Sequence, residues 1–121
     1  MGAQEYNRAA WPLLVRAARA GETVTYQDVA NTVNRACHAP TTAHLAGPNA
    51  LDRIERWCLR HGIPDLTALV ISQEFGIPGD DFFQQNGLDP KAPRGQRYYR
   101  WSLIRNLVWE HPYGDEPPSA L

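Results

Sequence analysis

Four residues of the types that bind zinc lie within residues 37–61: Cys37, His44, Cys58 and His61. Cys58 and His61 are spaced to lie on adjacent turns of one helix, as zinc ligands can. Cys58 is also a regular member of an apolar helix face, and small buried thiols are common. Near a helix C-terminus, the dipole favours a protonated imidazole at His61. We therefore expect Cys58 to be a core residue, and we predict neither a metal nor another cofactor.

Two further patterns have the residue types of catalytic sites. Pro64-Asp65 followed by Asp89-Pro90-Lys91 has the order of a magnesium-dependent nuclease site. Pro90 removes a backbone donor where that site needs a strand. Cys37-His38 would pair a nucleophile with a base, but adjacent side chains in an extended segment point to opposite sides. We expect the protein not to be an enzyme.

Residues 22–33 predict a short strand that runs directly into a capped helix. Thr25 is placed as the N-cap, and Asp28, three residues later, as the acidic member of a capping box. Tyr26 then lies in the first turn, where free N–H groups and the helix dipole favour a phosphate. The alternative is a structural cap with Tyr26 packed into the core. These residues alone leave both interpretations open.

The hydrophobic pattern predicts one mixed α/β domain that is mostly α, with a short strand pair and a C-terminal helix. We place the domain at residues 1–112 and expect a flexible tail at 113–121. Residues 34–47 form either a loop or a short helix from 41 to 46. The other predicted elements are helices at 4–20, 48–61 and 97–109, a strand at 66–72, a wing or hairpin turn at 73–79, and one helical turn at 80–84.

The charge distribution limits the classes of partner. A net charge of −1 and a pI near 6.4 argue against a generic basic nucleic-acid binder. A face carrying the arginines at 53, 56 and 60 could nevertheless be locally positive. No apolar window is long enough to cross a bilayer, and residues 1–8 lack an apolar signal segment. We therefore expect a cytoplasmic protein with free thiols and no membrane partner.

Within residues 21–79, the order of motifs resembles a known family. The segments that carry the resemblance are Gly21-x-x-Val24-Thr25-Tyr26-Gln27-Asp28-Val29-Ala30, His44-Leu45-Ala46-Gly47, Ile63-Pro64-Asp65-Leu66-Thr67-Ala68-Leu69-Val70 and the turn glycine Gly76. They resemble the C-terminal domain of alkylguanine-DNA alkyltransferases and the alkyltransferase-like proteins. The resemblance implies a winged helix-turn-helix that binds DNA.

The departures from that family concern its chemistry. Asp65 and Leu66 occupy the positions of the alkyl-accepting cysteine and the histidine after it. A carboxylate cannot substitute in an irreversible transfer that forms a thioether. His44 stands where the family has the arginine that fills the gap left by a flipped base. The resemblance therefore implies DNA binding without alkyl transfer and without established lesion flipping.

We predict a non-catalytic, winged-helix DNA-binding domain. Thr25, Tyr26 and Gln27 would contact backbone phosphate at the helix N-terminus. The residues expected to face a groove are His44, Asn49, Arg53 and Arg56. The alternative is a protein-interaction module, for instance a small phage or bacterial regulatory protein that engages a larger nucleic-acid-processing complex, because Trp and Tyr are abundant.

Overall fold

The computed structural model describes residues 2–121, which form five α-helices and two short strands. The mostly helical class and the short strand pair are confirmed. The helices are α1 (Ala3–Ala20), α2 (Tyr26–Cys37), α3 (Asp52–Arg60), α4 (Asp80–Gln85) and α5 (Arg94–Glu110), and the strands are β1 (Val24–Thr25) and β2 (Val70–Ile71). Short 3-10 turns occur at Ala43–Leu45 and Leu66–Leu69, and a π-helical turn at Gly47–Leu51 leads into α3.

Helix α1 provides one wall of the core and matches the helix predicted at 4–20. Trp11 and Leu14 are buried on its inner face. The helix ends at Gly21, whose φ of 65° is left-handed and whose N–H contacts the carbonyls of Ala17 and Ala18. Glycine adopts this conformation without steric cost, so Gly21 by itself marks the end of the helix in the sequence.

The beginning of α3 is capped by a side chain from α1. The Asn7 side-chain oxygen accepts the N–H groups of Arg53 and Ile54, each at 3.1 Å. Its amide group donates to the carbonyls of Ala3 and Asn49. Asn7 is fully buried. One amide thus fixes the start of α3 against α1, because the first N–H groups of a helix have no partner within it.

The two strands pair in parallel, with Val24 opposite Val70 and Thr25 opposite Ile71. The strand predicted at 66–72 is therefore shorter than expected. Its first part is a 3-10 turn, because the Asp65 carboxylate accepts the N–H of Thr67 and the Asp65 carbonyl accepts that of Ala68. The sheet in residues 2–121 holds only these two strands, so the predicted turn at 73–79 does not join an antiparallel hairpin.

The tail predicted to be flexible packs against the rest of the protein. Tyr113 and Leu121 are buried, with 6% and 1% of their surface exposed. The Trp11 indole donates to the Gly114 carbonyl at 2.9 Å, and the Tyr113 hydroxyl donates to the Pro64 carbonyl. Tyr113 and Leu121 thus contact the core at the two ends of this segment, while most residues between them are exposed. Among residues 2–121, no helix has the length and apolar character needed to span a membrane.

Candidate functional site

A cleft of about 410 Å³ opens between the N-terminus of α2, the turns at residues 43–48, the start of α3 and the N-terminus of α4. Its apolar lining includes Leu51 and Phe82. The titratable residues that line it are Tyr26, His44, Asp52, Glu55, Asp80 and Asp81. Four of these six carry carboxyl groups, so the cleft is acidic.

The capping box predicted at the start of α2 is confirmed. The Thr25 hydroxyl accepts the N–H of Asp28 at 3.1 Å, and the Asp28 carboxylate accepts the N–H of Thr25 at 3.0 Å. Gln27 is exposed, and its amide donates to Asn31 on the same helix. The N-terminus of α2, which was expected to bind phosphate, is therefore next to the carboxylate of Asp28. This carboxylate interacts favourably with the positive end of the helix dipole, as a phosphate would.

Tyr26 connects α2 to the turn before α4. Its side-chain oxygen accepts the N–H of Gly79 at 2.8 Å. Burial raises the pKa of its hydroxyl, so the phenol stays neutral. Tyr26 thus has a structural role, which the sequence left open beside phosphate binding, and it also lines the cleft.

Replacing Tyr26 with Phe should lower the free energy of unfolding by about 1 kcal/mol, because the Gly79 N–H loses its acceptor while the ring remains. Urea denaturation of the wild type and the variant measures this difference. Tyr99→Phe is the matched control, since Tyr99 is 60% exposed, and we expect it to stay within about 0.5 kcal/mol of wild type. Equal effects of the two changes would contradict a structural role for the Tyr26 hydroxyl.

Arg53 and Arg56 on α3 have different surroundings. The Arg53 side chain turns to the C-terminus, where its Nε donates to the Leu121 carbonyl oxygen at 2.8 Å. Arg56 is exposed at the edge of a small cleft that also holds Asp52, Glu55 and Asp81. The structure thus gives the two side chains different surroundings, and the expectation that both face a groove stays a prediction. Tertiary contacts orient Arg53, and acids surround Arg56.

The remaining predicted contacts are also separated. Asn49 lies in the π-helical turn and is half-buried, with its carbonyl bound by Asn7. His44 is exposed in the 3-10 turn and lines the acidic cleft together with Tyr26. The structure thus brings Tyr26 and His44 to one cleft, but directs Asn49 and Arg53 elsewhere.

A buried network of polar side chains forms the floor beside this cleft. The Asp65 carboxylate accepts the Thr67 hydroxyl at 2.6 Å, and its other oxygen accepts the Asn86 amide at 2.9 Å. The Thr67 hydroxyl also contacts the Glu55 carboxyl at 3.2 Å. Glu55, Asp65 and Thr67 are each at least 94% buried. Sequence reasoning missed this network, although Asp65-x-Thr67 has the spacing of an Asx turn.

The network changes the chemistry of Glu55. Burial, and secondly the negative charge of Asp65, raises the pKa of Glu55 from 4.5 to about 9. Glu55 is therefore a neutral carboxylic acid near pH 7. Every buried polar side-chain atom of this network has a hydrogen-bond partner, which favours a structural role.

The cysteine and histidine residues considered as zinc ligands do not form a cluster. Cys58 is fully buried, and burial raises the pKa of its thiol to about 12. The His61 ring stacks on Trp57 with centroids 4.3 Å apart, and its Nδ1 contacts the Trp57 carbonyl. Residues 2–121 contain no group of three or more His, Cys, Asp or Glu side chains placed to hold a metal ion.

Helix α5 has an exposed apolar face that sequence reasoning did not single out. Tyr99, Leu103 and Leu107 are 60%, 46% and 54% exposed, whereas Trp101 and Val108 are buried. Because the first three residues are four apart, they form one row along the helix, which we call the outer stripe. Their spacing was visible in the sequence, but the side of the helix that faces the core was not.

The outer stripe lies within the most basic part of the chain. Residues 91–109 contain no acid and five cations: Lys91, Arg94, Arg97, Arg100 and Arg105. Arg105 lies against the rings of Trp101 and Trp109, at 4.9 and 4.5 Å from their centroids. Arg100 is exposed beside the stripe, one residue from Tyr99 and three from Leu103. The protein therefore has an acidic cleft and, separately, an exposed apolar row on α5 with Arg100 beside it.

Comparisons of the chain with protein-family models, curated proteins and solved structures found no match.

Proposed function

We propose that this protein is a non-catalytic protein-interaction module that binds its partner through the outer stripe of α5. The observation that carries the proposal is the exposure of Tyr99, Leu103 and Leu107 in one row. Each square ångström of apolar surface that a partner removes from water contributes about 25 cal/mol. Exposed apolar patches of this kind are typical of interaction sites.

DNA binding through α2 and α3 remains a prediction from the sequence, but it receives less support from the geometry. A phosphate at the start of α2 would meet the carboxylate of Asp28. Beside it, the cleft presents Asp52, Asp80 and Asp81. Since DNA affinity depends on neutralising phosphates with cations, an acidic surface opposes it.

We also infer that the fold is a divergent winged helix-turn-helix. The order of β1, α2, a turn, α3 and β2 supports this inference, as does the capped start of α2 at Thr25. The parallel pairing of β1 with β2, without a hairpin in residues 2–121, is a departure from it. A wing reduced to the turn after β2 would have little surface with which to contact DNA.

Site-directed photo-crosslinking in the cells that produce this protein tests the proposed function. Benzoylphenylalanine introduced at Leu103 should crosslink to protein on irradiation, because that side chain lies at the centre of the outer stripe. The adducts are read by mass on a denaturing gel and are identified by mass spectrometry. Expected adducts contain protein and survive nuclease treatment.

The matched control places the same crosslinker at Leu45, an exposed leucine outside α5. Adducts at Leu103 that are absent at Leu45 would support the module. Equal crosslinking at both positions, or none at Leu103, would refute it. Adducts that nuclease removes would favour nucleic-acid binding instead.

A further inference from the structure

We propose that the outer stripe binds a second copy of this chain, so that two α5 helices pack antiparallel about a twofold axis. The inference rests on the proposed function and specifies the partner. It follows from the two charged side chains on the same side of α5 as the stripe, and from their positions relative to Leu103 and Leu107.

The side of α5 that carries the outer stripe has one cation and one anion. At about 3.6 residues per turn, Arg100 lies about 60° to one side of Leu103, and Glu110 lies about 20° to the other side. Both charged side chains are exposed. The remaining charged residues of α5 lie at least about 120° from Leu103, and they are Arg94, Arg97 and Arg105.

Arg100 and Glu110 are available to a partner. The single ion pair within residues 2–121 joins Arg19 to Asp115. Neither Arg100 nor Glu110 is therefore neutralised by an ion pair in this part of the chain. An occupant of the outer stripe that brings one acid and one cation to the right places would pair with both of them.

The positions of these residues are self-complementary. In a twofold pair, residue i of one copy meets residue j of the other, and residue j then meets residue i. Leu103 and Leu107 are centred on position 105, and so are Arg100 and Glu110. An antiparallel pair with its axis beside position 105 would therefore place Leu103 opposite Leu107. It would also place Arg100 opposite Glu110, and the symmetry produces each contact twice.

Charge pairing selects this register among the symmetric arrangements. An axis beside Leu103 would also bring the two apolar rows together. Arg100 would then lie opposite Asn106, and Glu110 opposite Gln96, so neither charge would gain a partner. A parallel pair in register would place like charges opposite each other, which opposes association.

The apolar row contributes most of the affinity, and the charges determine the register. Ion pairs at the exposed rim of an interface add little to affinity, but they discriminate between arrangements. The outer stripe supplies three apolar residues per copy, fewer than the about 20–30 residues per side of a standard interface. We therefore expect a dimer that dissociates on dilution.

Sedimentation equilibrium of the purified full chain tests the inference. The wild type should change from monomer to dimer within the range from about 1 μM to 1 mM, which covers weak complexes. Leu103→Asp should abolish the dimer, because it places a charge in the apolar row of each copy. Circular dichroism confirms that this variant is folded.

Reversal of the two charges tests the register. Arg100→Glu and Glu110→Arg should each weaken dimerisation roughly tenfold, because each creates two contacts between like charges. The double variant restores both pairs, so its dissociation constant should return to within about threefold of the wild-type value. Arg16→Glu is the matched control, since Arg16 is an exposed arginine on α1, and it should change the dissociation constant less than twofold.

The outcomes separate this inference from the proposed function. A wild type that stays monomeric, while benzoylphenylalanine at Leu103 crosslinks to a different protein, would overturn the second copy and leave the interaction module intact. Dimerisation that survives Leu103→Asp, or a double charge variant no stronger than the single ones, would also overturn the inference. A monomeric wild type without any crosslink at Leu103 would count against both.

Discussion

Replacing Asp65 with Ala should lower the free energy of unfolding by about 3 kcal/mol, because buried polar groups would lose their acceptor. The Asp65 carboxylate accepts the backbone N–H and the hydroxyl of Thr67 and the amide of Asn86. Asp65 is 1% exposed, so water cannot replace those bonds without entering the core. Chemical denaturation of both proteins measures the change.

Asp89 offers a matched control for this prediction. Its carboxylate accepts the N–H of Lys91 two residues later, as Asp65 does for Thr67, but on the exposed surface. Asp89→Ala should therefore cost no more than about 1 kcal/mol, because water can solvate the freed N–H. Similar losses for the two variants would show that burial of the network contributes little. The predicted role of Asp65 would then be wrong.

Stability should fall as the pH rises from about 5 to 9, because folded Glu55 holds a proton that the unfolded chain has released. The pKa of Glu55 is raised to about 9 in the folded protein, mainly by burial and then by the charge of Asp65. Unfolding in this range releases a proton, so higher pH favours the unfolded state. The slope is at most about 1.4 kcal/mol per pH unit. Urea denaturation across this pH range measures it.

Glu55→Gln should flatten this pH dependence, since glutamine has a similar shape and cannot titrate. The groups near Glu55 are Asp65 from the 3-10 turn, Asp52 and Arg56 on α3, and Asp81 from α4. All four remain in the variant, so the difference between the two slopes isolates Glu55. A glutamine variant with the wild-type slope would show that another group carries the pH dependence.

The sequence predicted the helix ends correctly where the hydrogen bonds that form them join residues close to each other in the chain. Gly21 ends α1 through bonds to carbonyls three and four residues before it. Thr25 and Asp28 bind each other across one turn and begin α2. Such interactions form in the same way whatever packs around them. The helix predicted at 97–109 is found at Arg94–Glu110.

Contacts between distant residues were not predictable from these patterns. Asn7 caps α3 from a position 46 residues earlier, and Arg53 binds the carbonyl of Leu121, 68 residues later. The burial of Tyr113 similarly depends on the surface that α1 and Pro64 present. Each contact requires knowledge of which elements become neighbours. Hydrophobic period identifies an apolar face but not its partner.

The sequence by itself determined that this is a mostly helical chain whose second helix, α2, begins at a capping box. Only the tertiary structure decided which charged side chains act together. It turned Arg53 toward the C-terminus, enclosed Glu55 with Asp65, and left Leu103 and Leu107 facing outward. The physical reason is that burial and charge pairing depend on distances through space. Spacing along the chain defines such distances only within one helix or turn.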